Sequence, residues 1–310
     1  MIRLFALFLL SLTPPALAVD AGRGVDADTY AISFDLPENS PLEFRGGFVI
    51  RPPFSGFGGL SGLALRSPRE AVLVSDKGNW IEMSLEIDAG RLTGVGDIRL
   101  QPILNAEGAP VEEGAVDAED LTIDPATGDL WVSFERDHRL WRFTAPSQPP
   151  VETVRHRAWE NFAENTGIEG LARDDLGRLW AIREASGDYS RPFPIFIWKD
   201  GRFAVKRLPR PSKHLVTGAS FGPDGWLYVT ERKFSFTSGF DIRLRRLKYA
   251  DGEEPVAEET LLELLSATNI DNIEAITVWR EGGETLILIA SDDNMFLLQR
   301  NVMALFAVRG

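Results

Sequence analysis

The sequence has no cysteine and few histidines, and these shortages exclude several kinds of site. It contains no Cys and 3 His in 310 residues. Without Cys there is no disulfide framework and no lipid attachment through a cysteine. The histidines, His138, His156 and His214, are not paired at the spacing of a zinc site. The sequence therefore predicts neither a disulfide-stabilised fold nor a zinc protein.

Basic residues are also in short supply. The chain has 33 Lys and Arg against 46 Asp and Glu, which gives a formal net charge of -13. Nucleic-acid binding requires a basic surface, and so does binding to an anionic membrane. We therefore expect neither partner, while an acidic surface remains compatible with binding cations.

Long apolar runs are absent after the N-terminus. Residues 1–18 read as a signal peptide, with Arg3 before the apolar run Leu4–Leu12 and an A-x-A cleavage site at Ala16–Ala18. An N-terminal membrane anchor is the alternative, although the run is about half the length of a span. We expect residues 19–29 to be a flexible leader. The mature chain is then an exported protein, periplasmic or extracellular, with no transmembrane segment.

Helical periodicity is nearly absent, and short strands with tight turns take its place. The stretch Asp117–Phe143 predicts three strands separated by the turns Pro125–Gly128 and Arg136–His138. Residues 254–266 fit a helix or a strand followed by a loop. Comparable units recur along the chain. Including Asp117–Phe143, they are Gly59–Ile87, Gly167–Glu184 with Pro194–Leu208, Thr217–Arg232 with Phe240–Tyr249, and Asn272–Asp293 with Val302–Val308.

The spacing of these units predicts a β-propeller. Taking Ser61, Glu119, Glu169, Ala219 and Glu274 as equivalent gives spacings of 58, 50, 50 and 55 residues. Four-stranded blades around a central channel need about 50 residues each. Five repeats are visible, six blades are possible, and a β-sandwich is the alternative fold. The last repeat lacks a fourth strand, and Phe44–Ile50 could supply it, so we expect an N-terminal strand to close the ring. We expect a single domain over residues 30–310.

Acidic residues recur at one end of the predicted blades. Glu119, Glu169 and Glu274 open first strands, and the second strands end at Asp76, Glu135, Glu184, Glu231 and Asp292. The start of one antiparallel strand lies beside the end of the next, so these carboxylates should share one mouth of the channel. Their mutual repulsion requires bound cations, basic partners or protonation.

Hard oxygen donors with basic neighbours predict a site for Ca²⁺ or Mg²⁺ that also binds an anion. The predicted metal ligands are Glu119, Glu135, Glu169, Glu231, Glu274 and Asp292. Lys77, Arg136, Arg139 and Arg232 are the predicted anion-binding residues. Glu135, Glu169 and His138 are the catalytic candidates. The alternative is that the carboxylates only accept backbone N–H groups and fix one blade to the next.

Several blocks in order resemble one known family. These are GLSGLAL with VSDKGNW, DAEDLTID with WVSFERDHRLWRF, NTGIEGLA, VTERKFSFTSGFDIRLRRL, and DNIEAITV with SDDNMFLLQRNVMALF. They are similar to the exported bacterial proteins called phytase-like, or described as having an esterase-like activity of phytase. The resemblance implies a β-propeller that hydrolyses phosphate or other esters, with calcium held by acidic residues at the channel mouth and Lys and Arg for phosphate.

Two classes of function therefore stay open. The first is an exported monomeric hydrolase that acts on a small anionic ester, with Ca²⁺ as cofactor. The second is a cell-envelope propeller without catalysis, which serves as a binding module or as a scaffold with structural calcium.

Overall fold

The protein is built almost wholly from β-strands. The computed structural model describes residues 24–54, 56–112, 117–185, 188–235, 239–265, 272–292 and 300–309. Within these ranges the chain forms 21 strands and one short 3₁₀ helix, Arg157–Asn161. No helix in the described ranges has the length and hydropathy of a membrane span. The predicted signal peptide lies outside them.

The strands form five sheets, which are the blades of a propeller. Blade 1 contains β3 (Leu60–Ser67), β4 (Glu70–Ser75), β5 (Asn79–Asp88) and β6 (Arg91–Pro102). Blade 2 contains β7 (Ala118–Ile123), β8 (Leu130–Phe134), β9 (Arg139–Phe143) and β10 (Glu152–Val154). Blade 3 contains β11 (Ile168–Arg173), β12 (Leu179–Arg183), β13 (Phe193–Lys199) and β14 (Arg202–Leu208). Blade 4 contains β15 (Leu215–Phe221), β16 (Leu227–Ser235), β17 (Gly239–Tyr249) and β18 (Pro255–Leu264).

Blade 5 joins the two ends of the chain. It contains β19 (Ile273–Glu281), β20 (Glu284–Ser291), β21 (Asn301–Val308), β2 (Leu42–Ile50) and β1 (Thr29–Ala31). Strand β2 pairs with β21, and β1 adds a fifth strand at the outer edge. The predicted closure by an N-terminal strand is thus confirmed, and the ring has five blades instead of six.

Local turn chemistry explains why each repeat forms a hairpin. In blade 2, β7 and β8 are joined by a turn in which the Asp124 carboxylate accepts the N–H of Ala126 at 2.9 Å. Gly128 has a φ of 79°, a conformation that glycine adopts without strain. Most of the segment 254–266, which fitted a helix or a strand, forms strand β18 at the outer edge of blade 4, where its first residues are largely exposed. Ser266 lies outside the described residues.

Large aromatic side chains fill the spaces between blades. Trp80 of blade 1 meets Phe143 of blade 2 with ring centroids 5.1 Å apart, and Trp180 of blade 3 meets Phe221 of blade 4 at the same distance. Burying such rings removes large apolar areas from water. The core therefore lies between the blades, and the channel is left to shorter and polar residues.

The innermost strand of every blade carries a β-bulge near its start. The residues skipped by the regular pairing are Ser61, Glu119, Glu169, Thr217 and Glu274. A bulge leaves one residue unpaired and re-aims its side chain. The five bulges lie at the same end of the ring, and this end of the channel is called the channel mouth below.

Candidate active site at the channel mouth

Two rings of side chains surround the channel mouth. The bulge residues form the inner ring. The outer ring consists of one residue from each blade, at the position after the partner of the residue that precedes the bulge, namely Asp76, Glu135, Glu184, Arg232 and Asp292. In four blades the outer-ring N–H bonds to the carbonyl just before the first strand, as between Glu135 and Asp117 at 2.9 Å. Each blade thus contributes one residue to each ring.

Blade 4 differs from its neighbours, and here two sequence-based equivalences were wrong. Its bulge residue is Thr217, two positions before the predicted Ala219, and its outer-ring residue is Arg232 instead of Glu231. Successive residues of a strand point to opposite sides, so a shift of one position places Arg232 at the mouth and Glu231 on the other side of the strand. Blade 4 therefore brings a cation to the mouth where the other blades bring carboxylates.

Glu231 lies inside blade 4, away from the mouth. Its side chain is fully buried and accepts hydrogen bonds from Arg243 Nε at 2.7 Å and Arg245 Nε at 3.0 Å. Two guanidinium groups thus neutralise this carboxylate within the blade. The structure gives it a structural ion pair instead of a place among the other predicted metal ligands.

The remaining predicted site residues divide into two groups. Seven line the channel-mouth cavity, namely Glu119, Glu135, Glu169, Glu274, Asp292, Arg136 and Arg232. Lys77, His138 and Arg139 are not among the residues that line it.

His138 and Arg139 instead pack inside blade 2. The Nε2 atom of His138 lies 3.1 Å from the Ala163 carbonyl oxygen, and its ring packs against Phe162. The guanidinium of Arg139 is buried, 3.9 Å from the ring centroid of Trp141, and burial lowers its pKa to about 10. Strand β9 begins at Arg139, which directs this side chain into the core.

The channel-mouth cavity has a volume of about 310 Å³ and an acidic lining. Eight described carboxylates line it: Asp76, Asp117, Glu119, Glu135, Glu169, Glu184, Glu274 and Asp292. The side chain of Asn165 adds an amide oxygen donor. Of these, Asp117 was not recognised as a site residue in the sequence, although it directly precedes strand β7.

Two groups of carboxylates are close enough to share a cation. One oxygen each from Asp117, Glu119 and Glu135 lie within 4.8 Å of one another, and so do oxygens of Glu135, Glu169 and Glu184. Ca²⁺ holds oxygen ligands at about 2.3–2.6 Å, so two of its ligands are at most about 5 Å apart. The donor set and the spacing therefore both fit Ca²⁺, with Glu135 common to the two groups.

Burial and mutual repulsion raise the pKa values of these carboxyl groups. Burial raises the pKa of Glu135 to about 7, and the charges of Glu184 and Asp117 add to the effect. Burial, followed by the charge of Glu119, raises the pKa of Glu169 well above its usual value. A bound cation would favour the ionised forms and reverse these shifts.

Two guanidinium groups, from blades 4 and 2, supply the positive charge among the described residues that line the mouth. Arg232 donates to Glu274 and to the Asn272 side-chain oxygen, and its Nη2 lies 3.9 Å from Glu184. Burial raises the pKa of Glu274 to about 7, against the opposing charge of Arg232. Arg136 is half-exposed and donates to Asp117 at 2.6 Å. The carboxylate groups of blades 2 and 3 thus face a guanidinium from blade 4.

Some mouth carboxylates also connect adjacent blades. Glu135 Oε1 accepts the N–H of Gly167 at 2.6 Å, and Asp292 Oδ1 accepts the N–H of Leu60 at 3.1 Å. These bonds match the alternative in which the carboxylates fix the blades. A carboxylate has two oxygens, so a bond of this kind occupies only one of them.

Asp120 is a further important residue that the sequence pattern did not reveal. It follows the bulge of blade 2 and is fully buried. Its Oδ2 accepts the N–H of Leu171 at 2.6 Å and of Ala219 at 3.3 Å, and its Oδ1 accepts that of Leu121 at 2.7 Å. One carboxylate thus satisfies N–H groups of three inner strands, from blades 2, 3 and 4.

Comparison with known proteins links the chain to one family. The family model named Phytase-like, described as "Esterase-like activity of phytase", matches residues 55–295. The comparison with curated protein sequences finds no match.

Similar solved structures include three enzymes. A luciferin-regenerating enzyme is 13% identical, with 93% of this chain and 91% of that chain covered and a TM-score of 0.45. A glucose dehydrogenase is 11% identical, with 87% and 99% covered and a TM-score of 0.44. A GH43 β-1,3-galactosidase is 12% identical, with 79% and 90% covered and a TM-score of 0.46. At these identities and TM-scores, we draw no conclusion about activity from the similarities.

Proposed function

Because the chain belongs to the phytase-like family, described by its esterase-like activity, we propose that it hydrolyses a small anionic ester at the channel mouth. The observation that carries this proposal is the convergence of eight carboxylates with Arg136 and Arg232 on one cavity. A phosphate ester is the substrate class that we favour, since it needs both a cation and guanidinium groups to balance its charge. We further propose that the protein is exported, is a monomer, and acts in the periplasm or outside the cell.

The proposed cofactor is Ca²⁺, held by Asp117, Glu119, Glu135, Glu169 and Glu184. When bound, it would lower the pKa of a ligand water and neutralise charge on the ester oxygens. The oxygen ligands fit this ion better than a soft metal.

Arg232, Arg136 and Glu274 have proposed roles other than holding the metal. Arg232 and Arg136 bind the anionic group of the ester, and Arg232 offsets charge that develops as water adds. Glu274 is the proposed general base, because a pKa of about 7 suits proton transfer at neutral pH and it lies outside both groups of close carboxylates. Glu274 takes a proton from the attacking water, the ester bond breaks, and Glu274 returns that proton to the released alcohol oxygen.

Hydrolysis of 4-nitrophenyl phosphate and 4-nitrophenyl acetate, each with Ca²⁺ or with EGTA, tests this proposal. We expect calcium-dependent turnover of one of the two esters. Glu169→Gln should weaken calcium binding, whereas Glu274→Gln should lower kcat about 100-fold or more without changing calcium affinity. Arg232→Gln should raise KM about tenfold and also lower kcat, because Arg232 both binds the anionic group and offsets the developing charge.

Glu160→Gln is the matched control, because Glu160 is exposed on the 3₁₀ helix and is not among the residues that line the cavity. It should behave as wild type in every assay. Calcium binding without hydrolysis of a broad ester panel would favour the scaffold. Neither calcium binding nor hydrolysis would favour the binding module and would exclude the mechanism above.

A further inference from the structure

A second and larger cavity lies on the face opposite the channel mouth. It has a volume of about 930 Å³ and is a groove between blades 3 and 4, formed by the hairpin turns of the two blades and by strand β14. This volume is within the usual range for small-molecule sites. None of the proposed catalytic or metal-binding residues lines it.

Aromatic rings line the inner part of this groove. The buried ring of Trp180 packs against the half-buried rings of Phe221 and Tyr249, with centroids 5.1 Å apart for Trp180 and Phe221 and 5.2 Å for Trp180 and Tyr249. Phe221 and Tyr249 therefore present the accessible aromatic surface of the groove. Phe203 and Ile197 add further apolar surface. A flat apolar group would gain free energy by leaving water for such a surface.

A buried ammonium group lies above the rings. Lys206 is 7% exposed, and its Nζ lies 6.0 Å from the ring centroid of Trp180 and 5.7 Å from that of Tyr249. Nζ donates to the carbonyl oxygens of Ala250, at 2.7 Å, and Gly252. An ammonium has three donors, so one N–H of Lys206 is left for a ligand.

Other lysines of the groove also contact backbone carbonyls instead of carboxylates. Lys199 Nζ donates to the Leu176 carbonyl at 2.8 Å, and Lys248 Nζ donates to the Asp224 carbonyl at 2.6 Å. Within the described residues neither these two nor Lys206 forms a salt bridge. The direct partners of these three ammonium groups are therefore backbone carbonyls, and the carboxylates of Asp251 and Glu253 interact with Lys206 through their charge without forming an ion pair.

The acidic residues of the groove do not cancel this charge at its inner part. Asp174 is held by Arg178 at 2.6 Å and by the Trp180 indole N–H at 2.8 Å, and Glu253 pairs with Arg207. Asp175, Asp200 and Asp251 are exposed residues of the surrounding turns. Among the described cationic residues that line the groove, Lys206 is the one that is buried.

From this combination we propose that the groove binds a small amphipathic anion, with a flat apolar body on the aromatic rings and a carboxylate, phosphate or sulfonate group at Lys206. Lys248 and Lys199 attract the same anionic group from the sides. This site is separate from the channel mouth, and its occupation does not depend on the hydrolase function proposed above.

A pair of fluorescent probes tests the proposal. 1-Anilinonaphthalene-8-sulfonate has the predicted aromatic body and anionic group, and N-phenyl-1-naphthylamine lacks the sulfonate. We expect the sulfonate to bind at one site, about tenfold more tightly than the uncharged probe, with affinity that falls as salt is added.

Substitutions then locate the bound probe. Lys206→Gln should weaken sulfonate binding about tenfold. Ala204→Glu should do the same without disturbing a buried contact, because Ala204 is exposed and lies on the same side of β14 as Lys206. Lys213→Gln is the matched control, since Lys213 also lies over a tyrosine, Tyr189, but outside the groove. It should bind the probe as wild type does.

Three results would overturn the proposal. The first is equal affinity for the two probes, or no binding of the sulfonate at millimolar concentration. The second is unchanged affinity in folded Lys206→Gln and Ala204→Glu proteins. The third is loss of binding in Glu169→Gln, which would place the probe at the channel mouth.

Discussion

At the scale of single residues, Asp120 has the most demanding environment. The N–H groups of Leu121, Leu171 and Ala219 face the channel axis, where no neighbouring strand can accept them. Buried N–H groups without acceptors are costly, and the Asp120 carboxylate satisfies all three. Burial raises the pKa of Asp120, and the three N–H donors oppose this shift.

Replacing Asp120 should therefore destabilise the fold more than replacing other acidic residues. We expect Asp120→Ala to lower the free energy of unfolding by about 3 kcal/mol, because it leaves three buried donors without an acceptor. Asp120→Asn keeps one carbonyl oxygen and should cost less. Urea unfolding measures both, with the exposed turn variant Asp175→Ala as control. A loss below about 0.5 kcal/mol in Asp120→Ala would contradict this role.

Individual residues also differ in how well the sequence predicted their place in the site. Ser61, Glu119, Glu169 and Glu274 were placed correctly because an acidic or polar residue begins each similar strand. Blade 4 has no acidic residue at its bulge, so the sequence comparison aligned Ala219, instead of Thr217, with the bulge residues of the other blades. Glu231 and Arg232 are adjacent, and only the strand register determines which one faces the mouth.

At the scale of elements, the inner strands depend on small residues next to their bulges. Gly62, Gly170, Gly218 and Ala275 follow the bulges of four blades, and Asp120 occupies this position in blade 2. A Cβ on Gly62 would lie 2.6 Å from the Leu121 nitrogen and 2.8 Å from the Asp120 Cα. The small residues thus let the inner strands approach one another and leave room for the Asp120 side chain.

Gly62→Ala should separate β3 from β7 and destabilise the ring. Overpacking of this kind costs about 1–3 kcal/mol, which urea unfolding resolves. Gly252→Ala is the control, because nothing lies within 4 Å of the added Cβ and the backbone there needs no positive φ. Equal stability of the two variants would contradict the close approach of β3 and β7.

Strands were easier to predict than their bulges. Alternating apolar residues and Gly, Asp or Pro turns identify hairpins such as β7–β8, because each hairpin buries one side of its strands. A bulge depends on contacts with the next blade, as at Gly62, and these contacts are remote in sequence. The sequence also did not show where β9 begins. Because β9 begins at Arg139, the Arg139 side chain enters the core, and the assignment of His138 and Arg139 to the mouth was wrong.

At the scale of the whole molecule, the repeat spacing predicted the five-bladed ring and its closure by β2. The alternative of six blades stayed open because the sequence did not show that β1 and β2 both join the last blade instead of forming part of another. The cluster of charged residues at the channel mouth is also a property of the assembled ring, because these residues come from all five blades.

The channel mouth should make stability depend on pH in the absence of calcium. Glu135 and Glu274 have pKa values of about 7 in the folded protein, against about 4.5 when unfolded. Between these values the folded state binds more protons, so stability should fall as pH rises from about 5 to 7. Melting temperatures in EGTA measure this slope, and Glu135→Gln should reduce it. Stability that rises with pH over this interval would contradict the raised pKa values.

The most direct test of the account is thermal melting with excess EGTA and with millimolar Ca²⁺, on the wild type and on Glu169→Gln. A site filled at 100 times its dissociation constant stabilises the fold by about 2.7 kcal/mol. For a chain of this size we predict a rise of about 5 °C in the wild-type melting temperature and a much smaller rise in the variant. Identical melting temperatures of the wild type in the two buffers would contradict a calcium site at the channel mouth.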